Sequence, residues 1–183
     1  GNATDFGDLA QANSAASGGA SSTTRAIISG GYEQPAAAIN SRLQYIILSS
    51  GGGANEFGNL KNAFGNRAGF SNGVRGLIAG GIDASDVWSN VIEFITIANT
   101  GTANNFGDMT RAQSHRSSAA SPTRGVMMGG LYSGPTYTAE IDYVTIATLG
   151  NAQDFGNITQ ARAVGSGGGS ATRALSGGGI TPS

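Results

Sequence analysis

The chain repeats itself with a period close to fifty residues, and this period limits the folds it can form. The dipeptide Phe-Gly shows the period first, with copies 51, 49 and 49 residues apart that begin at Phe6, Phe57, Phe106 and Phe155. Periods of this length belong to proteins that stack supersecondary units, and among these the blades of a β-propeller fit best.

Two further markers keep the same register. The first is an arginine followed by a small residue, a short apolar strand and a glycine pair, with copies that begin at Arg25, Arg75, Arg124 and Arg173. The second is an apolar strand centred on an aromatic ring, with copies at Tyr45, Phe94 and Tyr143. Three markers in one register indicate one structural unit repeated along the chain.

Each unit predicts four short β-strands and no helix. They are a strand rich in Ser, Ala and Gly, the strand after the arginine, the aromatic strand and the Phe-Gly strand. Both faces of the aromatic strand are largely apolar, so both must be covered, as they are between stacked blades. We therefore predict one all-β domain, a β-propeller of four-stranded units at about 1–50, 51–99, 100–148 and 149–183, the last incomplete.

The core of such a fold would lie between neighbouring units. We expect it to contain the rings of the aromatic strands together with all four phenylalanines of the Phe-Gly strands. Two arrangements of the chain ends are open. Neither the Phe6 strand nor the Arg173 strand has an aromatic strand of its own. The two ends could meet in one composite blade that closes a four-bladed ring, or the chain could be a window on a larger propeller or array. The second is preferred, because unpaired strand edges at both ends would invite association.

The order of these features resembles the kelch motif of galactose-oxidase-like propellers. The clearest copy comprises Arg111-Ala-Gln-Ser-His115, Met127-Met-Gly-Gly130, Ile141-Asp-Tyr143 and Thr159-Gln-Ala-Arg162. The wording Asp-Tyr-Val-Thr-Ile-Ala-Thr, followed by Asn-Ala-Gln-Asp-Phe-Gly-Asn, also resembles repeats in virion structural proteins of marine and cyanobacterial tailed phages. That resemblance implies an extracellular virion component, such as a fibre or surface appendage, and implies no chemistry.

Composition removes several classes of partner. The formal net charge is −1 and the chain has one lysine, so nothing favours binding to nucleic acid or to an anionic membrane. Without cysteine the chain forms no disulfide and no thiolate metal site. No apolar run approaches the roughly 18 residues of a membrane-spanning helix.

Ionisable residues that could carry chemistry are few, and we predict no catalytic, cofactor or metal site. His115 is the one histidine, so the copper site of galactose oxidase is not carried over; a Ser–His–Asp triad would have to use His115 beside Ser114. Aspartates and asparagines flank each Phe-Gly, and we prefer turn capping to Ca²⁺ binding for them. The glycine runs 51–53 and 167–169 lack the Gly-Lys-Ser/Thr of a phosphate loop.

We expect residues that bind a ligand or partner at positions where the units differ in sequence. The repeated arginines could form a ring for an anionic sugar, but strict repetition favours a structural role, because ligand sites usually break symmetry. The loops after the glycine pairs vary, and binding residues gather on such loops. Their aromatic side chains are the candidate contacts with ligand or partner: Tyr32, Trp88, Tyr132 and Tyr137.

Together these features predict a non-enzymatic structural or adhesion module of a phage virion. It would contact host-surface glycan or other virion proteins through its loops, as part of a homo-oligomer or larger assembly. One alternative is a glycan-cleaving tailspike, which needs a pair of carboxylates across a cleft; Asp83, Asp86, Glu33 and Glu140 are the candidates. Another is a secreted bacterial carbohydrate-binding propeller.

Overall fold

The described part of the protein is a set of antiparallel β-sheets without helices. The computed structural model describes residues 1–14, 17–35, 38–134 and 136–182, and every assigned element in them is a β-strand. In that part of the chain there is no helix able to span a membrane. The all-β prediction is confirmed.

Four sheets that carry the repeat follow one another along the described chain, and a fifth, two-stranded sheet is a hairpin inserted in the third. Sheet 1 comprises β1 (Asn13–Ser14), β2 (Ser17–Ser21), β3 (Arg25–Glu33), β4 (Ala38–Ile47) and β5 (Asn55–Asn59). Sheet 2 comprises β6 (Ala68–Ser71), β7 (Arg75–Ala79), β8 (Val91–Thr96) and β9 (Asn104–Asp108). Sheet 3 comprises β10 (Ser117–Ala120), β11 (Arg124–Met128), β14 (Glu140–Thr145) and β15 (Gln153–Asn157), and the hairpin β12 (Leu131–Tyr132) and β13 (Thr136–Tyr137) lies between β11 and β14. Sheet 4 comprises β16 (Ser166–Gly169) and β17 (Ala174–Gly177).

The first three sheets share one meander. A small-residue strand pairs with the arginine strand, which pairs with the aromatic strand, which pairs with the Phe-Gly strand. Each sheet takes its Phe-Gly strand from the sequence unit that follows. The register between the last two strands shifts at the same place each time, just before Gln44, Glu93 and Asp142. Such bulges re-aim side chains, and all three of these polar side chains are buried.

The hydrophobic core lies between consecutive sheets. Each of the two cores combines side chains from all four strand types of one sheet with side chains from the arginine and aromatic strands of the next. The core between sheets 1 and 2 includes Ala20, Ile27, Leu43, Phe57, Ile78, Ile95 and Ile97. The core between sheets 2 and 3 includes Phe70, Leu77, Ile92, Phe106, Met127, Val144 and Ile146.

The small-residue strands of the four sheets lie side by side. β2 contacts β6, β6 contacts β10, and β10 contacts β16. Together they line a hollow of about 370 Å³, with Ala20, Phe70, Ala119 and Gly168 among its walls. Short side chains allow four backbones to approach this closely, which explains the Ser, Ala and Gly content of these strands.

The glycine pairs lie where one sheet meets the next. Gly80 and Gly81 both have positive φ, and the amide of Gly81 donates to the carbonyl of Gln113 at 2.9 Å. A Cβ atom on Gly80 would lie 2.4 Å from that carbonyl oxygen. Glycine is therefore required here both by the left-handed backbone and by the close approach of the following sheet.

The prediction that all four Phe-Gly phenylalanines are core residues is wrong for two of them. Phe57 and Phe106 are each 3% exposed, whereas Phe6 is 42% and Phe155 57% exposed. The ring of Phe155 packs edge-to-face on Tyr143 at 5.9 Å, as the equivalent pairs do in sheets 1 and 2. What differs is the face of the ring that points away from its own sheet. The described part of sheet 4 has no aromatic strand to cover Phe155. Phe6 belongs to no described sheet, so no aromatic strand pairs with its segment.

Truncation of Phe106 should therefore destabilise the protein far more than truncation of Phe155. We expect Phe106→Ala to lower the free energy of unfolding by ~3–5 kcal/mol, because it opens a cavity between sheets 2 and 3. Phe155→Ala, the matched control, should cost about 1 kcal/mol, the value of one edge-to-face aromatic pair. Urea unfolding followed by tryptophan fluorescence measures both, and equal losses would contradict this description of the core.

Candidate binding site

Two of the four predicted contact residues line the same hollow. Trp88 follows the glycine pair of sheet 2, Tyr132 follows that of sheet 3, and both border a space of about 540 Å³. The hollow is completed by Asp86, Arg111, Ala112, Ser133 and Gly134. We call it the Arg111 hollow. It opens on the loops, which are the part of the repeat that varies.

Arg111 is held in place on two sides. Its guanidinium carbon lies 4.4 Å from the centroid of the Tyr132 ring, within the range of a cation–π contact. Its Nη2 atom lies 2.8 Å from Oε1 of Glu140. Glu140 is itself oriented by Gln113, whose Nε2 donates to the other carboxylate oxygen at 2.5 Å. The Arg111 side chain remains 44% exposed, so its donors are both positioned and accessible.

A buried ion pair supports this arrangement from below. Nη1 of Arg116 lies 2.5 Å from Oδ2 of Asp142, and both side chains are 1% exposed. Nη2 of Arg116 donates to the backbone carbonyls of Met127 at 2.7 Å and Glu140 at 2.9 Å. Arg116 thereby fixes the start of β14, from which the Glu140 side chain extends towards Arg111. Burial lowers the pKa of Arg116, and the negative charge of Asp142 opposes that shift.

The ion pair is present or absent as a unit. Sheet 2 has the same pair, Arg67 and Glu93, at 2.6 Å. In sheet 1 the carboxylate is replaced by Gln44, and residues 13–24 contain no arginine. An unpaired charge at this depth would be costly, so both charges are lost together.

Neither buried ion pair was predicted from the sequence. The signal was available, since Arg67 and Arg116 each stand eight residues before a repeated arginine.

The other two predicted contacts lie elsewhere. Tyr32 is half-buried and its ring covers Gly65, where an added Cβ would lie 2.9 Å from ring atom Cε2. Tyr137 is half-buried in β13, opposite Leu131. Neither lines the Arg111 hollow.

The repeated arginines connect consecutive sheets. Arg25 stacks on Tyr45 at 4.7 Å and donates through Nη1 to the carbonyls of Ile97 (3.2 Å) and Ala98 (2.8 Å) in the next sheet. Arg75 stacks on Phe94 at 4.6 Å and donates to the equivalent carbonyls at residues 146 and 147. Arg124 stacks on Tyr143 at 4.8 Å and is exposed, as is Arg173.

The structure gives the remaining ionisable candidates ordinary roles. Oγ of Ser114 lies 2.7 Å from Nδ1 of His115, but Ser114 is 1% exposed, and no carboxylate bonds His115 in the described ranges. Those ranges also contain no group of three or more His, Cys, Asp or Glu placed to hold a metal. Oδ1 of Asp5 and of Asp154 each accepts the amide of the Phe-Gly glycine two residues on, at 3.0 Å.

Breaking the buried ion pair should destabilise the fold much more than breaking the exposed one. We expect Arg116→Met to cost ~3–5 kcal/mol, because Asp142 is left charged and unpaired. The control Arg111→Met should cost no more than about 1 kcal/mol, as exposed pairs contribute little. Adding Asp142→Leu to Arg116→Met should restore most of the loss, measured by urea unfolding; a double variant as unstable as the single would refute the explanation by unpaired charge.

The single histidine predicts a dependence of stability on pH. Burial lowers the pKa of His115 below 6.5. The unfolded chain therefore binds this proton more readily than the folded one, and the stability that neutral His115 contributes is complete above about pH 6.5 and is lost as pH falls through the folded pKa. His115→Asn should flatten the pH profile below pH 6.5, and asparagine suits the site because Asn66 has the same φ of 55° at the equivalent position. Thermal unfolding between pH 7 and 5 measures this effect, and an unchanged slope would contradict it.

Arg111 was not among the residues predicted for the site, although a departure from the repeat marks it. The equivalent positions carry Gln11, Asn62 and Gln160. Its partner Glu140 stands where the other aromatic strands carry Arg42 and Val91. Comparison of the chain with protein-family models and with curated proteins finds no match, so the assignment of the site depends on this geometry.

Proposed function

We propose that the protein is a non-enzymatic adhesion module that binds a glycan in the Arg111 hollow. The observation that carries this proposal is the convergence of Trp88, Tyr132 and Arg111 on one space of about 540 Å³. Ligand sites of roughly 300–1,000 Å³ that combine aromatic walls with a few positioned polar groups are typical of small-molecule recognition.

The side chains of the hollow suit a sugar. The indole of Trp88 offers an apolar face to the C–H groups of a pyranose ring. Arg111 offers fixed donors, and the exposed carboxylate of Asp86 offers acceptors for hydroxyl groups. Since Arg111 is neutralised in part by Glu140, the site favours a hydroxyl-rich ligand over a strongly anionic one.

Departure from the repeat supports the same conclusion. Positions that join one sheet to the next, such as the repeated arginines, recur along the chain. Arg111, Tyr132 and Glu140 have no counterpart of the same type in the other units. A set of non-repeated residues that contact one another beside the variable loops is what selection for binding would leave.

We further propose that the sheets are blades of a kelch-like β-propeller in a phage virion protein. The side-by-side small-residue strands around a common hollow support the propeller. The kelch and virion assignments rest on the sequence resemblance, and the virion location would give the glycan site a host surface to bind. A secreted bacterial carbohydrate-binding propeller would use the same site.

Binding is preferred to glycan cleavage because two of the four candidate carboxylates, Asp83 and Glu140, are bonded to other groups. Oδ1 of Asp83 accepts the amides of Ser85 (2.8 Å) and Val87 (2.9 Å) within its own turn. Glu140 is engaged by Arg111 and Gln113. A glycosidase needs one carboxyl that is free to act as an acid and a second across the cleft.

Glycan-array screening followed by titration calorimetry tests the proposal. Trp88→Ala and Arg111→Gln, the second copying the residue at positions 11 and 160, should each weaken binding of the best glycan at least tenfold. Tyr32→Ala is the matched control, because Tyr32 is a half-buried tyrosine of β3 outside the hollow, and this variant should bind as the unmodified chain does. Absence of glycan binding, equal affinity of all variants, or release of oligosaccharide would each overturn the proposal.

A further inference from the structure

A second cleft lies between sheets 3 and 4, away from the Arg111 hollow. It has a volume of about 480 Å³, and its walls include Arg124, Val126 and Phe155 of sheet 3 and the turn 170–174 of sheet 4. We call it the Arg124 cleft. The equivalent space is filled at two other places in the molecule, between sheets 1 and 2 and between sheets 2 and 3.

Between sheets 1 and 2, the end of the next aromatic strand fills this space. The arginine of sheet 1 donates to the carbonyls of Ile97 and Ala98, and Ile95 and Ile97 pack in the same core as Phe57. Sheets 2 and 3 repeat the contact through residues 144–147. The occupant in both cases is an extended segment with the pattern aromatic, Ile or Val, Thr, Ile, Ala.

At the Arg124 cleft the phenylalanine, the arginine and the glycine of this contact all lack the partner that they have between the other sheets. Phe155 is 57% exposed, and the Arg124 guanidinium makes no hydrogen bond or ion pair with a described residue. The backbone at Gly156 is uncovered as well. A Cβ on Gly58 or Gly107 would lie 2.1 or 2.3 Å from a carbonyl oxygen of the turn after the next aromatic strand, whereas on Gly156 it would meet nothing within 4 Å.

An unpaired strand edge runs along the cleft. In sheets 1 to 3 the arginine strand pairs on one side with the small-residue strand and on the other with the aromatic strand. β17 pairs with β16 and has no second partner among the described strands. Leu175, at the centre of β17, is 71% exposed. Backbone donors and acceptors along such an edge are available for one more strand.

We propose that the Arg124 cleft accepts one added β-strand with the pattern of this chain's own aromatic strands. The strand would run antiparallel to β17, with its aromatic residue opposite Leu175 and its threonine opposite Arg173, as Tyr143 and Thr145 stand opposite Val126 and Arg124. Its Ile and Ala carbonyls would accept from Arg124, and its apolar side chains would cover Phe155.

The sequence of sheet 4 also predicts which residue an added strand should carry immediately before its aromatic ring. The residue before the aromatic ring is buried in each sheet, and where it is a carboxylate an arginine pairs with it. Sheet 4 carries Gly165 at the position of that arginine, so an added strand with Asp or Glu there would bury an unpaired charge. Glutamine, which sheet 1 uses at residue 44, avoids this cost.

Fluorescence anisotropy with labelled nine-residue peptides tests the inference on the whole chain. One peptide is the 140–148 sequence with Asp142→Gln, the second retains the aspartate, and the third is a scrambled version of the first. We expect saturable binding of the first, at least tenfold weaker binding of the second, and none of the third.

Protein variants locate the site. Arg124→Ala and Phe155→Ser should each weaken binding of the glutamine peptide at least tenfold. Arg25→Ala, whose carbonyl partners lie within the chain, should leave peptide binding unchanged. No saturable binding, equal binding of the scrambled peptide, or unaffected binding by both cleft variants would overturn the proposal, as would a self-associated protein in which a second copy protects Phe155. None of these outcomes bears on glycan binding at the Arg111 hollow.

Discussion

The contact between the Phe-Gly edge of one sheet and the aromatic strand of the next is the interaction on which the rest of the structure depends. A single four-stranded sheet here has apolar side chains on both faces, and no helix among the described elements covers either of them. Stability therefore comes from stacking. The phenylalanine ring, the glycine backbone and the repeated arginine all act at this contact, as Phe106, Gly107 and Arg75 do between sheets 2 and 3.

The buried charges of sheets 2 and 3 are neutralised in ion pairs. The bulge before Asp142 turns its carboxylate inward, where Arg116 neutralises it and also bonds two backbone carbonyls. Buried pairs of this kind add little net stability compared with an apolar core, but removing one partner is costly. This asymmetry explains why sheets 2 and 3 keep both members, while sheet 1 has the neutral Gln44 and no arginine among residues 13–24, where its partner would stand.

The two proposed sites use opposite features of the repeat. The Arg111 hollow depends on residues that differ from their counterparts in other units, such as Arg111 and Tyr132. The Arg124 cleft depends on residues that do not differ, because its shape is that of the contact repeated elsewhere in the molecule. The proposed glycan recognition and the proposed strand addition should therefore respond to different mutations.

By itself the sequence determined the local structure: all-β strands in a fifty-residue period, the glycine pairs, and the loops that carry Trp88 and Tyr132. These follow from patterns within one strand or one turn. The tertiary structure decided which phenylalanines are buried, because Phe106 and Phe155 stand in near-identical sequence and differ in what the next sheet places over them. It also decided that Trp88 and Tyr132 line one hollow with Arg111, while Tyr32 and Tyr137 do not. Loop geometry and the contacts between units depend on packing between residues far apart in the sequence, and a local sequence pattern does not encode that packing.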